Sequence, residues 1–407
     1  MPSEPVSDTT IGSVYRLTLS IVVITLCRLV LNTARRFAYP FAPALSRGLG
    51  VPLTAITSLI AINQATAVLG LFFGPIADRL GYRLMMLSGM ILLVAAMFAA
   101  GLFPLYGVVL VALFLAGMGK SIFDPALQAY VSERVPFHRR GLAIGFLEFA
   151  WAGSTLLGIP LIALLIDRFG WRTPFFAMGG VGILGILVLR IIIEKGRRRP
   201  APGQATPLFK GAWRQLLRKR AALGALSYAF WISVANDNLF VVYGAWLEKQ
   251  FGLSIVALGL GTGVIGIAEL AGESLTAALA DRLGLKQSVI GGMTACLICY
   301  GILPFLGQTL AMALTGLFII FLTFEFTIVT SLSLFTELVP ASRATMMASY
   351  FASAGIGRVV GALIGGPIWL VGGIYATALV SAAISGLALA SLIWGLRGWQ
   401  QPERSGI

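Results

Sequence analysis

The sequence predicts an all-α membrane protein, with twelve transmembrane helices arranged as two pseudo-symmetric six-helix bundles. Three observations carry that prediction. Hydrophobic residues make up 58% of the 407 and charged residues only 11%, where a soluble chain carries about 25% charged, so lipid must cover much of the surface. Apolar runs long enough to cross a bilayer, about 20 residues each, recur along the whole chain. Short charged signatures repeat at a spacing of a little over 200 residues.

Taken in order, the first six spans fall near 15–38, 53–73, 85–103, 107–131, 141–166 and 174–194. The second six fall near 221–247, 254–279, 287–306, 309–336, 345–371 and 374–396. Charge, Gly or Pro marks each break, and the longer runs imply tilt. Two acids in the polar first dozen residues argue against a cleavable secretory signal, which leaves the first span to direct insertion. Between Pro200 and Lys210 the chain is rich in Pro, Gly and polar residues, a linker composition. The expected division is therefore an N-terminal half over 1–199, a cytoplasmic linker over 200–220 and a C-terminal half over 221–407.

The net charge of +14 is not read as a nucleic-acid footprint, because Lys and Arg concentrate in short connections between spans. One side collects Arg79, Arg83, Arg134, Arg139, Arg140, Arg282, Lys286, Arg343 and the nine basic residues of 195–220. The other shows little beyond Arg47, Arg168, Arg172 and Lys249. By the positive-inside rule the first side, with both termini, is cytoplasmic in a cell membrane, and its central cluster can meet anionic lipid headgroups. Cys27, Cys296 and Cys299 sit inside apolar runs as small packing residues. Neither a nucleotide-binding loop nor a metal-ligand cluster is visible, and the single histidine, His138, lies in a cytoplasmic loop. Hence no cofactor, no metal and no enzyme is expected.

The repeats organise the chain. Ala77-Asp78-Arg79-Leu80-Gly81 after the second span returns as Ala280-Asp281-Arg282-Leu283-Gly284 after the eighth. Glu133-Arg134-Val135-Pro136 after the fourth returns as Glu337-Leu338-Val339-Pro340 after the tenth. Paired repeats in a polytopic protein place a solute site between the halves. The loop Gly74-Pro75-Ile76-Ala77-Asp78-Arg79-Leu80-Gly81-Tyr82-Arg83 matches the pattern G-x-x-x-D-R-x-G-x-R, with a degenerate second copy carrying Lys286 as its last base. On these motifs the whole chain resembles the major facilitator superfamily, as do Pro40-Phe41-Ala42-Pro43 and Trp171-Arg172. The resemblance implies a secondary transporter of a small-molecule substrate that works by alternating access. It also implies a cytoplasmic latch built from Gly74, Asp78, Arg79, Gly81, Arg83, Asp281, Arg282 and Gly284. Two features depart from the family: Leu113 stands where many members carry an Arg in span 4, and Gly153, Gly158 and Pro160 only loosely echo the antiporter run of span 5. The closer G-x-x-x-G match, Gly361 to Gly365, lies in span 11 instead.

Ionisable groups inside spans are costly unless paired or hydrated, so they point to function. Arg28, Lys120, Asp124, Glu148, Asp237, Glu269, Glu273, Glu325 and Arg358 all fall within spans. Six acids against three bases leaves some acids without a matching cation, and a buried acid without a partner can exchange a proton. Lys120 and Asp124 are four apart and can pair on one helix face. Arg28, with Asn32 one turn on, either pairs with an acid of another helix or meets an anionic part of a substrate. Asn236-Asp237-Asn238 is a polar trio that suits a cavity wall better than a lipid face. Glu325, between Phe324 and Phe326, is the first choice for a proton site, and Arg358 among Gly355, Gly357 and Gly361 can hold Glu325 or Asp237. The substrate or proton-coupling candidates are thus Arg28, Asn32, Lys120, Asp124, Glu148, Asn236, Asp237, Asn238, Glu325 and Arg358.

The resemblance further implies that spans 1, 4, 7 and 10 line the path, and acids in spans 5, 7 and 10 resemble those of proton-coupled multidrug antiporters. Phe123, Phe149, Trp151, Tyr228, Trp231, Tyr243 and Phe324 offer possible cation–π surface. The leading expectation is proton-coupled efflux of an amphipathic or cationic compound by a monomer. A proton-coupled uptake symporter for an anionic or zwitterionic metabolite is the alternative, with a non-transporting membrane receptor as the reading from another class.

Overall fold

Among the described residues all regular structure is helical. The structure is a computed structural model, and it describes residues 8–135, 147, 149–193, 216, 218–339 and 343–399. The first half contains α1 (Asp8–Arg36), α2 (Ala42–Leu49), α3 (Leu53–Leu80), α4 (Tyr82–Leu102) and α5 (Tyr106–Arg134). It closes with α6 (Ile159–Phe169), entered through a π-helical turn at Ser154–Gly158, and α7 (Thr173–Ile192). The second half repeats the order with α8 (Arg220–Phe240), α9 (Tyr243–Phe251), α10 (Ile255–Leu283), α11 (Leu285–Ile302) and α12 (Leu310–Leu338). The run Arg343–Gly395 then carries non-helical backbone at Gly372 and at Gly373 (φ 57°), which divides it into α13 (343–371) and α14 (374–395).

Ten stretches among the described residues are long and apolar enough to cross a membrane, one of them holding both α13 and α14. With α8, whose hydropathy is lowered by Asn236-Asp237-Asn238, the chain has its twelve spanning helices in two six-helix bundles.

The two opening spans differ from the continuous helices expected near 15–38 and 221–247. Each is broken near its far end, at 37–41 and at 241–242, and resumes as a short helix, α2 or α9. In the first half the cause is proline: Pro40 cannot continue a helix, while Pro43 suits the first turn of α2. The second break contains no proline. It brings Gly244 against the Pro40 carbonyl, so closely that a Cβ there would overlap it. Both short helices end on a left-handed glycine, Gly50 (φ 66°) and Gly252 (φ 62°), the usual device for stopping a helix.

Where the halves meet, α3 packs along α13, and α6 with its π turn packs along α10. Within the second half, Gly357, Gly361 and Gly365 lay α13 on the backbone of α8. A Cβ at Gly361 would come within 2.9 Å of the Asp237 Cβ. The G-x-x-x-G run of span 11 therefore sets how close Arg358 stands to Asp237.

Candidate functional site

A cavity of ≈ 530 Å³, its open mouth included, lies between the halves. Arg35, Arg36 and Tyr39 reach it from the end of α1, Gln64 from α3 and Trp151 from the turn before the π helix. Across from them stand Asn236 and Phe240 of α8, Glu269 of α10, Arg358 of α13, and Phe321, Phe324, Glu325 and Ile328 of α12. The resemblance implied spans 1, 4, 7 and 10 as the walls. Spans 1, 7 and 10 are there, joined by spans 2, 5, 8 and 11, but among the described residues no lining side chain comes from span 4.

Two polar networks cross from one half to the other beside this space. In the first, the Tyr39 hydroxyl donates to Asp237 Oδ1 at 2.7 Å. Gln64 Nε2 in turn donates to the Tyr39 hydroxyl oxygen at 2.5 Å. Arg35 Nε donates to Gln64 Oε1 at 3.0 Å, with a second, shorter contact from its Nη2. Arg358 Nε stands 4.0 Å from Asp237 Oδ2, so of the two acids proposed for it from sequence, Arg358 faces Asp237. In the second network Arg36 grips Glu269 with two donors, at 2.5 and 3.2 Å. Both side chains are 4% exposed, so each charge depends on the other. Thr155 donates to the same carboxylate at 3.4 Å. The Arg36 guanidinium also lies over the Trp151 ring at 4.3 Å and the Phe240 ring at 5.7 Å, a cation–π arrangement. The π turn follows from Pro160, which lacks the N–H that a regular α-helical turn needs there. It places Thr155 against Glu269 just past the helix that carries Trp151.

Glu325 contrasts with these acids. It lines the cavity, and among the described residues no hydrogen bond or ion pair reaches it. Arg35 is its counterpart in sign: its only hydrogen-bond acceptor among the described residues is the neutral Gln64 amide.

The remaining candidates fall elsewhere. Lys120 Nζ and Asp124 Oδ2 pair at 2.6 Å along α5, and Arg28 Nε lies 3.5 Å from Asp124 Oδ1. Arg28 also donates to the Leu147 carbonyl at 2.9 Å, so it pairs with an acid on another helix. This cluster belongs wholly to the first half and does not line the cavity. Asn32 is fully buried, with no side-chain hydrogen bond among the described residues. Glu148 lies outside the described residues. The polar trio of α8 divides its work: Asn236 lines the cavity, Asp237 is buried behind Tyr39, and Asn238 donates to the Thr377 carbonyl and Ser381 of α14 at 3.0 and 2.9 Å. Of the aromatics, Trp151 and Phe324 line the cavity, Phe149 is exposed on the outer surface, Trp231 is half-buried, and Phe123, Tyr228 and Tyr243 are buried.

The repeated loops match in backbone. Gly81 and Gly284 take φ values of 93° and 85°, a left-handed region in which an L side chain is strained. Arg83 Nη2 donates to the Arg190 carbonyl at the end of α7, at 2.6 Å. Lys286, its equivalent, donates to the Leu396 and Trp399 carbonyls beyond α14 at 2.9 and 3.1 Å. The last base of each motif thus caps the last helix of its own half, where a cation suits the helix dipole. Arg282 is exposed, and the surroundings of Gly74 and the side chains of Asp78, Arg79 and Asp281 lie outside what the structure describes.

At the end opposite these loops, Arg47 of α2 pairs with Glu248 of α9 at 2.6 Å, beside the contact of Gly244 with Pro40. The halves are therefore closed together at that end, with the two polar networks beneath the closure.

A family model described as the Major Facilitator Superfamily matches residues 24–362 and 229–406. The chain belongs to the Major Facilitator Superfamily. It is a multi-pass membrane transporter, and members of this superfamily are carriers of small molecules rather than enzymes. An uncharacterized MFS-type transporter, YceJ of Bacillus subtilis, is 25% identical over 74% of this chain and 76% of its own. The multi-drug resistance efflux pump PmrA homolog of Lactococcus lactis is 24% identical over 87% of this chain and 88% of its own. The fold matches a crystal structure of a bacterial homolog to the human lysosomal transporter Spinster, inward-facing and unoccupied, with a TM-score of 0.74 at 16% identity. That match covers 98% of this chain and all of the other.

Reading the sequence missed Arg35, Arg36, Tyr39 and Gln64 of this transporter, and gave Glu269 no part in the site. A signal was present: Arg35 and Arg36 lie at the end of span 1 on the side where the positive-inside rule expects few bases.

Proposed function

We propose that this superfamily member exports an amphipathic solute in exchange for protons, with Glu325 and Asp237 as the groups where proton and substrate compete. The observation that carries this reading is Glu325, an acid on the wall of a cavity between the halves, without an ion-pair partner among the described residues. An acid so placed holds a proton when the cavity is empty and yields it to a cationic or hydrogen-bonding group. The efflux pump of Lactococcus lactis supports the direction. Of the three contacts an anion-uptake reading would use, Arg28 and Lys120 are engaged by Asp124 and do not line the cavity, and Arg358, which does, faces Asp237, which favours export over that alternative.

In this reading the monomer sits in the cell membrane with both termini cytoplasmic and the halves joined by the basic linker near 200–220. The closure at Arg47 and Glu248 makes the present arrangement the inward-facing one. Opening outward requires the halves to separate at α2 and α9, and with them Tyr39 from Asp237 and Arg36 from Glu269. The remaining latch residues of the repeated loops, Gly74, Asp78, Arg79, Gly81, Asp281, Arg282 and Gly284, would close the cytoplasmic end in the opposite state.

The test uses purified protein in liposomes, with solutes first selected by thermal stabilisation at two pH values. An imposed pH gradient should drive uphill accumulation of a stabilising solute. Glu325→Gln should keep its fold, bind the solute more weakly and lose that drive. Accumulation by Glu325→Gln with the same pH dependence as the parent would overturn the assignment.

A further inference from the structure

We infer that the cavity selects a zwitterionic substrate, its anionic group held by Arg35 and its cationic group by Glu325. This rests on the proposed proton-coupled transport and names the substrate class of the same site. The argument is one of charge matching. Among the described residues, five arginine and glutamate side chains line the cavity, namely Arg35, Arg36, Arg358, Glu269 and Glu325, with Asp237 just behind. Arg36 is matched by Glu269 through two hydrogen bonds. Arg358 is matched by Asp237 at 4.0 Å, and that carboxylate also accepts from Tyr39. Two groups of opposite sign remain, and they do not pair with each other. Arg35 spends its donors on a single neutral oxygen of Gln64 and forms no ion pair among the described residues. Glu325 accepts no hydrogen bond and forms no ion pair among the described residues, and the Arg36 and Arg358 charges reach it only from a distance.

A cationic ligand would displace the proton from Glu325 and leave Arg35 unmatched, while an anionic ligand would match Arg35 and leave Glu325 holding its proton, so neither uses both groups. A ligand with both signs matches both. The aromatic side chains of Phe240, Phe321 and Phe324 on the same wall supply an apolar surface for the body between its charged ends. The cationic end is also the part that competes with the proton at Glu325, so the anionic end adds affinity without disturbing coupling. Arg35 accordingly acts as a specificity determinant and not as a coupling group. The sequence reading assigned it no role.

The experiment measures equilibrium binding to the full-length protein in nanodiscs, without any gradient, by quenching of tryptophan fluorescence. The probes share one aromatic body: phenylalanine carries both charges, 3-phenylpropionate only the negative and phenethylamine only the positive. Phenylalanine should bind at least roughly tenfold more tightly than either. Arg35→Gln should erase its advantage over phenethylamine, and Arg35→Lys should keep part of it. Glu325→Gln should erase its advantage over 3-phenylpropionate. Each variant is first checked for a parental melting temperature, and Arg35→Lys with Glu325→Asp serve where a neutral variant fails to fold. Tighter binding of phenethylamine that survives Arg35→Gln, or no binding of any of the three probes, would overturn the inference. Proton-driven transport of a singly charged solute would still stand in either case, so the two proposals fail separately.

Discussion

Two groups of buried charges in this transporter look alike on paper and differ in where their partners sit. Arg28, Lys120 and Asp124 form a cluster inside the first half, with Lys120 and Asp124 four residues apart on one helix. Arg36 with Glu269, and Tyr39 with Asp237, reach from the first half into the second. A cluster that moves as one body keeps its contacts when the halves rock. A pair that bridges the halves must break or re-form, so its energy enters the conformational equilibrium directly. Location relative to the moving boundary, more than burial or charge, separates architecture from mechanism here.

The comparison can be broken most sharply at Arg36 and Glu269. Glu269→Gln leaves the Arg36 charge without its buried carboxylate, and stability in detergent should fall by about 3 kcal/mol or more, read as a lower melting temperature. The double substitution Arg36→Met with Glu269→Leu should recover much of that stability, since a packed apolar pair replaces the charges, while transport stays lost. Full transport by the double variant would show that the pair is only a strut.

A smaller but more selective effect is expected at Asp237. Asp237→Asn keeps an oxygen to accept from Tyr39, so melting should change little, while pH-gradient-driven transport should fall by at least roughly tenfold. Within the first half, Lys120→Met should lower the melting temperature because Asp124 loses its nearest cation. The shape of the pH profile of transport should remain parental. A changed profile would move that cluster into the mechanism.

The smallest effect belongs to Arg47 and Glu248. Arg47 is 59% exposed at its side chain, and exposed ion pairs contribute below about 1 kcal/mol. Arg47→Gln should leave folding intact and shift the halves modestly toward separation at α2 and α9, seen as faster labelling of a cysteine introduced there.

How much of this was legible in the sequence depends on the kind of interaction. Spans and halves were legible because lipid imposes long apolar runs and because the Ala-Asp-Arg-Leu-Gly signature repeats. The Lys120–Asp124 pair was legible because its geometry is local, four residues on one helix. Arg36 with Glu269, and Tyr39 with Asp237, were not, because their partners lie 233 and 198 residues apart and only packing of the two halves joins them. The breaks at 37–41 and 241–242 were half legible. Pro40 and Pro43 announce the first, while nothing in Phe240-Val241-Val242-Tyr243 announces the second, which follows from contact with the other half. Glu325 was found because an acid between two phenylalanines stands out in a span. Arg35 and Arg36 went unnoticed at the end of theirs.

The central claim is that protonation inside the cavity governs the contacts that hold the two halves together. The most direct measurement places spin labels at Pro52 and Gln250, near α2 and at α9, in a variant whose three cysteines are replaced, and follows their distance distribution in nanodiscs as pH changes. The account predicts two populations, a short distance matching the closed end seen here and a longer one, with a ratio that shifts with pH in the parent and is fixed in Glu325→Gln. A distribution that ignores pH in the parent, or shifts equally in Glu325→Gln, would contradict it.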